Sequence, residues 1–199
     1  MDWKIYKLKP ANDRNTCTRG KTMPDYDRQP LLEHSLQVLI GLPMSIARNA
    51  ADMKVFHFGE IQPHPSGTGT VGLYALHIQC PWRLVSRDTV YTGTSDRLIG
   101  PADGKEVDNG DPRSGSLQDV KLASLLGGYD EKTRSFLNTS EQLIVTSVNV
   151  DSFGGADLLL SGDYRLQIFP DGSCEEDWRL VEMKGRHLVI EGGRLRIDD

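Results

Sequence analysis

Four polar side chains on or beside the most apolar stretch of the sequence are the first candidates for binding chemistry. The run 72–85 contains His77, Gln79 and Arg83, and His57 lies in the strand-like run before it. Imidazole, amide and guanidinium groups bind ligands when they are exposed in a cleft, and they need hydrogen-bond partners when they are buried. The sequence therefore predicts His57, His77, Gln79 and Arg83 as ligand-binding residues.

The histidines also raise the question of a metal ion, because imidazole and thiolate together bind zinc. His57 can meet His77 across neighbouring strands. On a regular strand, however, His77 and Cys80 point to opposite faces, and none of the spacings is that of a zinc finger or knuckle. The glycine-rich run 66–72 lacks the Gly-Lys-Ser/Thr ending of a phosphate-binding loop. No metal ion and no cofactor are predicted.

A second pattern combines two carboxylates with a lysine. Asp171 follows a proline, and ten residues separate it from Glu182, with Lys184 two positions further on. In metal-dependent nucleases of this pattern the carboxylates hold Mg²⁺ and the lysine assists the attacking water. Against this reading, Pro-Asp-Gly-Ser is also an ordinary β-turn sequence. A metal-dependent hydrolase or nuclease that uses Asp171, Glu182 and Lys184, or a cluster of His57 and His77, stays open as the alternative function.

Charge, apolar runs and cysteine content limit the partners and the cellular location that we expect for this protein. The chain has 199 residues and a formal net charge of −5, which disfavours nucleic acid as a partner because phosphate binding needs clustered Lys and Arg. No apolar run approaches the roughly 20 residues that span a bilayer, so no membrane association is expected. Three widely separated cysteines, Cys17, Cys80 and Cys174, form no disulfide framework. These features predict a cytoplasmic location.

Strand patterns outnumber helical ones. Apolar residues at three-to-four spacing predict short helices over 31–40 and 117–125, with one further helical turn over 130–137, while 45–52 is ambiguous. Alternation and turn residues predict strands at 53–59, 72–85, 89–93, 143–150, 156–160, 163–169, 178–183, 187–190 and 194–197. Pro81 marks a bulge or a break in the central strand 72–85. The predicted fold class is α+β, with a largely antiparallel twisted sheet and two or three short helices.

The chain length favours one domain over residues 1–199. Within it, residues 1–29 are expected to form an edge strand followed by a polar loop. Residues 100–116 contain many turn formers and almost nothing to bury, so they are expected to form an exposed acidic loop.

Four stretches, taken in this order, resemble a group of bacterial proteins. They are Leu-His-Ile-Gln-Cys-Pro-Trp-Arg at 76–83, Gly-Thr-Ser-Asp at 93–96, Leu-Gln-Ile-Phe-Pro-Asp-Gly at 166–172 and Asp-Trp-Arg-Leu at 177–180. The likeness covers about residues 30–191. It implies a bacterial cytosolic protein, and no activity is attached to that group, so the resemblance assigns no functional residue.

A compact acidic chain without a specific catalytic motif is typical of a binding protein. The leading prediction is therefore a non-enzymatic binding or interaction protein, for example an immunity-like partner that binds another protein through its acidic loops or sheet face. A small-molecule carrier is a third class, and it would require the mixed face of the sheet to line a pocket.

Overall fold

The computed structural model describes residues 25–100, 115–140, 142–183 and 185–198. Within these ranges the chain forms two α-helices, two short 3-10 segments and fifteen strands. The helices are α1 (Asp25–Leu36) and α2 (Leu117–Leu126), and the 3-10 segments are Gln37–Leu39 and Thr94–Leu98. The strands are β1 (Met44–Ala50), β2 (Met53–Phe58), β3 (Gln62–Pro63), β4 (Thr70–Val71), β5 (Tyr74–Ile78), β6 (Trp82–Ser86), β7 (Thr89–Gly93), β8 (Gly127–Asp130), β9 (Ser135–Asn138), β10 (Val145–Val150), β11 (Ala156–Leu160), β12 (Tyr164–Ile168), β13 (Glu176–Glu182), β14 (His187–Glu191) and β15 (Arg194–Asp198).

The strands form two main sheets, in both of which every neighbouring pair is antiparallel. One sheet has eight strands in the order β15-β14-β13-β5-β2-β1-β9-β8, and the other has five in the order β10-β11-β12-β6-β7. Strands β3 and β4 make a separate small hairpin. The predicted antiparallel sheet is confirmed, but the molecule contains more sheet than an α+β class implies, and the strands belong to two sheets instead of one.

The hydrophobic core lies between the two sheets, as expected when each has one apolar face. Phe56 of the eight-stranded sheet meets Trp82 of the five-stranded sheet edge to face, with ring centroids 5.1 Å apart. Trp178 is fully buried, and its indole Nε1 donates a hydrogen bond to Gly154 O at 2.8 Å. These aromatic side chains join the inner faces of the two sheets into a single core.

The chain passes from one sheet to the other at Pro81, between β5 and β6. A proline has no amide hydrogen to donate, which favours a break in the ladder at this point. Asp177 O accepts hydrogen bonds from Gln79 N at 2.8 Å and Cys80 N at 3.0 Å, while Phe169 N donates to Pro81 O at 2.9 Å. The predicted central strand is therefore two strands in different sheets, and the sequence had marked the position of the break.

The first helix differs from its prediction over residues 31–40. Helix α1 begins at Asp25 and continues through Pro30, so residues 25–29, which were expected to be loop, are helical. It ends at Leu36, where a 3-10 segment follows. Leu32 and Leu36 are buried, and Gln29 Nε2 donates to Val150 O at 3.0 Å, so packing on β10 outweighs the loop-like composition. The edge strand expected before it, and most of the acidic loop over 100–116, fall outside the described residues.

The further helical turn expected over 130–137 is wrong, because this segment is the β8–β9 hairpin. Asp130 explains the turn: its carboxylate accepts hydrogen bonds from Lys132 N at 3.0 Å and Thr133 Oγ1 at 2.7 Å. Such local bonds stabilise a turn in preference to a helix. Phe136 then reaches the core as a strand residue.

The second helix is confirmed close to its predicted bounds. Ser116 and Asp119 form a reciprocal capping box at its start, and Gly127 ends it in the left-handed conformation with φ of +81°. No helix within the described ranges has the length and apolar character that crossing a membrane requires.

Candidate functional site

A pocket opens where the ends of β1, β2, β5 and β6 meet the 3-10 segment Thr94–Leu98 and α2. Its volume is about 270 Å³, including space open to solvent. We call it the Lys54 pocket, after the charged residue that is most deeply buried in it. Its lining residues are Asn49, Asp52, Met53, Lys54, Ile78, Gln79, Cys80, Trp82, Thr94, Arg97 and Gln118.

Lys54 points into the protein because of its position on β2. Side chains alternate between the two faces of a strand, so Lys54 shares the inner face with Phe56 and Phe58. Only 3% of Lys54 is exposed, which is unusual for a lysine without an ionic partner. Its Nζ lies 5.9 Å from the centroid of the ring of Phe136, a residue of the hydrophobic core.

A chain of hydrogen bonds positions the Lys54 amine. Nζ donates to Asn49 Oδ1 at 3.0 Å, and Asn49 Nδ2 in turn donates to Asp119 Oδ1 at 3.4 Å. The other oxygen of Asp119 accepts from Ser116 Oγ at 2.8 Å and Ser116 N at 3.2 Å. The helix cap of α2 thereby fixes Asp119, and Asp119 orients the amide that contacts Lys54.

Burial dominates the electrostatics of this amine. Among the described residues no carboxylate oxygen lies within the 4.0 Å of an ion pair with Lys54. Desolvation lowers the pKa of Lys54 to about 7, the negative charge of Asp119 opposes this shift, and the positive charge of Arg97 adds to it. A substantial fraction of Lys54 is therefore a neutral amine at neutral pH.

Arg97 forms the rim of the pocket. Its guanidinium donates to Ala51 O at 2.9 Å and Asp52 O at 3.0 Å, and it pairs with the exposed carboxylate of Asp52 at 3.3 Å. These bonds tie the 3-10 segment to the β1–β2 turn. The rim therefore combines a positive charge with a solvent-exposed negative one.

Amide and thiol groups complete the lining. Gln118 is 1% exposed; its Nε2 donates to Gly93 O at 2.9 Å, and its Oε1 has no hydrogen-bond partner among the described residues. Burial, and next the charge of Asp177, raise the pKa of the Cys80 thiol to about 12. Cys80 is consequently a protonated, unreactive thiol at neutral pH.

The four residues that the sequence predicts to bind a ligand do not form one site, because they lie in three separate parts of the structure. Gln79 lines the Lys54 pocket. His57 and His77 occupy neighbouring strands on the opposite face of the eight-stranded sheet, where His77 pairs with Val55 in the ladder. Arg83 lies in the five-stranded sheet. The structure therefore does not bring His57, His77 and Arg83 together.

His57 and His77 are both neutral imidazoles. Burial, followed by the charge of Arg48, lowers the pKa of His57 to about 3. Burial, followed by the charges of Arg179 and Arg48, lowers the pKa of His77 to about 4. Gly72 N donates to His57 Nδ1 at 3.2 Å, so the ring proton resides on Nε2, which has no hydrogen-bond partner among the described residues.

Arg83 lies on the surface of β6 and is held by neighbours of its own sheet. Its Nε donates to Gln167 Oε1 at 2.8 Å, and its guanidinium lies 5.0 Å from the centroid of the Phe169 ring. Such a stacked arginine stabilises a surface strand pair without any ligand.

The two nominated carboxylates lie at opposite ends of β13. Asp171 N donates to Asp177 Oδ1 at 3.3 Å near the start of this strand, whereas Glu182 is its last residue. The five steps along the strand from Asp177 to Glu182 span roughly 17 Å at about 3.4 Å per residue, too far for shared metal coordination. Lys184 falls outside the described residues, and within the described ranges no three His, Cys, Asp or Glu side chains converge as metal ligands.

Sequence reasoning missed Lys54, although a signal was present. In Lys54-Val55-Phe56-His57-Phe58 the alternation places Lys54 on the same face as two phenylalanines. An exposed lysine at the end of a strand would show the same pattern. Only the tertiary structure brings Gln118 of α2 and Arg97 of the 3-10 segment to the pocket that contains the amine.

Two of the stretches on which the resemblance rests meet at the Lys54 pocket. The stretch 76–83 contributes Ile78, Gln79, Cys80 and Trp82 to the lining, and the stretch 93–96 contributes Thr94. Trp82 N donates to Thr94 Oγ1 at 2.9 Å, so the two stretches are directly bonded. In comparisons with known proteins, no family model, no curated protein and no solved structure matches this chain.

Proposed function

We propose that this protein is a non-enzymatic binding protein whose Lys54 pocket takes a small organic molecule carrying a carboxylate. The observation that carries the proposal is a lysine amine, 3% exposed, whose bond is to a neutral amide and not to a carboxylate. A buried cation without a counter-ion costs free energy, and a carboxylate brought by a ligand removes that cost. The desolvation that lowers the pKa of Lys54 in the free protein therefore also favours the binding of a negatively charged ligand.

The lining supports an anionic ligand of few atoms. Lys54 lies at the bottom of the pocket and Arg97 at its rim, so two basic groups flank the space, and Asn49, Gln79 and Gln118 add amides that donate or accept hydrogen bonds. The volume of about 270 Å³ includes space open to solvent, so the enclosed part of the pocket is much smaller. A molecule of few non-hydrogen atoms fits this space best.

Acetate is a suitable probe because it offers a carboxylate and little else. Thermal unfolding should shift to higher temperature with sodium acetate at pH 6, where Lys54 is mostly protonated, relative to sodium chloride at equal ionic strength. At saturation, with acetate at 100 times its dissociation constant, the expected stabilisation is about 2.7 kcal/mol. At pH 9 the effect should weaken, because the amine of Lys54 is neutral there.

Two variants decide whether the acetate effect comes from this pocket. Lys54→Met should abolish the stabilisation by acetate. Lys121→Met should leave it intact, because Lys121 pairs with Asp96 at 3.0 Å and is not among the residues that line the pocket. The proposal is wrong if acetate stabilises neither protein more than chloride does, or if it stabilises Lys54→Met as much as the wild type.

A second candidate is the binding of another protein, as an immunity-like partner does. The observation in its favour is the exposure of two adjacent apolar residues, Leu98 at 91% and Ile99 at 49%, beside the end of α2 at which Leu117 N donates to Ile99 O. Exposed apolar residues of this kind are found at interfaces. A partner recovered by cross-linking with the wild type should be lost with Leu98→Lys, which exchanges an exposed side chain and preserves the fold. Equal recovery with both proteins would contradict an interface at Leu98.

A further inference from the structure

We infer that the β3–β4 hairpin is an acid-sensitive cover on the outer face of the eight-stranded sheet, the face opposite the core. The neutral imidazole of His57 holds it closed, and proton uptake by that imidazole releases it. Among the described strands, β3 and β4 pair only with each other, so no ladder joins the hairpin to the sheet beneath it. The inference is independent of the ligand proposed for the Lys54 pocket, because Lys54 lies on the inner face.

Two side chains of the sheet bind the second arm of the hairpin. Gly72 N donates to His57 Nδ1 at 3.2 Å, and Arg48 Nη1 donates to Thr70 O at 3.4 Å. Both side chains lie on the outer face, according to their positions in the β1–β2 ladder. The arm 70–72 is therefore attached to the sheet by an imidazole and a guanidinium group.

The backbone of Gly72 lies directly against His57. A side chain at this position would place its Cβ 2.5 Å from Phe58 O and 3.0 Å from His57 Cβ, so the close approach requires glycine. His57 and the neighbouring Val71 are each only 1% exposed. The imidazole of His57 therefore meets solvent when this arm moves away, and Val71 leaves its buried position in the same movement.

The bond to Gly72 exists only with the neutral form of His57. Because Nδ1 accepts the amide hydrogen, it carries no proton of its own. Protonation places a hydrogen on Nδ1, so two donors then face each other at 3.2 Å and the bond is lost. The charged groups around the imidazole favour the same outcome: Arg48 on β1, His77 on β5 and His64 in the hairpin are cationic or become cationic in acid.

Opening of the hairpin couples to pH with a definite sign. In the closed state the pKa of His57 is about 3, and in the open state it returns towards its ordinary value of 6.5. Below pH 6.5 the open state therefore binds a proton that the closed state does not, so opening becomes more favourable as the pH falls. Between pH 7 and pH 5 the open fraction should rise by up to about 25-fold.

Native-state hydrogen exchange at the Gly72 amide, measured by NMR, tests the inference. This amide exchanges when its bond to His57 opens, so its protection factor, corrected for the intrinsic exchange rate, should fall by up to about 25-fold from pH 7 to pH 5. A low concentration of urea should leave the exchange rate unchanged, because a local opening exposes little surface. Urea-dependent exchange of Gly72 in step with the amides of β12 would overturn the local opening.

The variant His57→Gln separates the hydrogen bond from the titration. The amide oxygen of Gln accepts a hydrogen bond but takes up no proton, so Gly72 should remain protected and lose most of the pH dependence. His64→Gln is the matched control and should keep the wild-type dependence, because His64 bonds Ser66 within the hairpin and not Gly72. A protection factor that is constant from pH 7 to pH 5 in the wild type would overturn the inference without any variant. An unchanged pH dependence in His57→Gln would also overturn it.

Discussion

Replacing Lys54 with Met should remove a specific pH dependence of stability. Met has nearly the same length as Lys and no charge, so the substitution preserves most of the packing around β2. In the wild type, folding moves the Lys54 amine from water into the core, where its pKa falls from 10.5 to about 7. Between these two pH values the unfolded chain binds a proton that the folded chain does not.

The sign and the size of the effect follow from this difference in bound protons. Below pH 7 Lys54 is protonated in both states and contributes no slope. Above pH 7 the unfolded state binds more protons, so the free energy of unfolding rises with pH by up to about 1.36 kcal/mol per pH unit. Integrated from pH 7 to pH 9, Lys54 should add about 2 kcal/mol to the stability of the wild type. Lys54→Met should lack this increment.

Urea unfolding at pH 7, 8 and 9, followed by the fluorescence of the buried Trp82 and Trp178, measures the difference directly. Cys80 ionises in the unfolded chain near pH 9 while its pKa is about 12 in the folded state, which lowers stability equally in the wild type and in Lys54→Met, so it cancels from their difference. Lys121→Met is the matched control and should keep the wild-type slope. Parallel stability curves for the wild type and Lys54→Met would refute the view that Lys54 is a desolvated amine.

Two other substitutions test the packing on either side of the eight-stranded sheet. His57→Gln should reduce the loss of stability between pH 6.5 and 4.5. The pKa of His57 is about 3 in the folded state, so His57 contributes up to about 1.4 kcal/mol per pH unit to that loss as the unfolded chain takes up its proton, and His77, with a folded pKa of about 4, adds a loss that the variant keeps. Equal slopes for the variant and the wild type in urea unfolding would contradict this. Trp178→Phe should lower the free energy of unfolding by about 2–3 kcal/mol at pH 7, because it opens a cavity and leaves Gly154 O without its 2.8 Å donor; a loss below about 0.5 kcal/mol in chemical denaturation would contradict that role.

Local sequence chemistry determined most of the strands, one helix and one break. Ser116 and Asp119 have the spacing of a capping box and Gly127 the conformational freedom of a helix end, so α2 is recognisable from three residues. Pro81 has no amide hydrogen, and the ladder indeed ends there. Each of these signals lies within a few sequence positions, so the local structure that it predicts does not depend on distant parts of the chain.

The pairing of distant strands was decided only by the tertiary structure. The alternation of apolar and polar residues shows which face of a strand is buried but not which strands are neighbours. The division into two sheets and the start of α1 at Asp25 therefore could not be predicted from it. The same limit applies to the site. Gln79 was predicted from its own strand. The surroundings of Lys54 come from more than sixty positions away, because Gln118 of α2 lines the same pocket and Asp119 of α2 bonds Asn49. Burial changes the chemistry of a lysine more than any neighbour in sequence does, and burial is a property of the assembled fold.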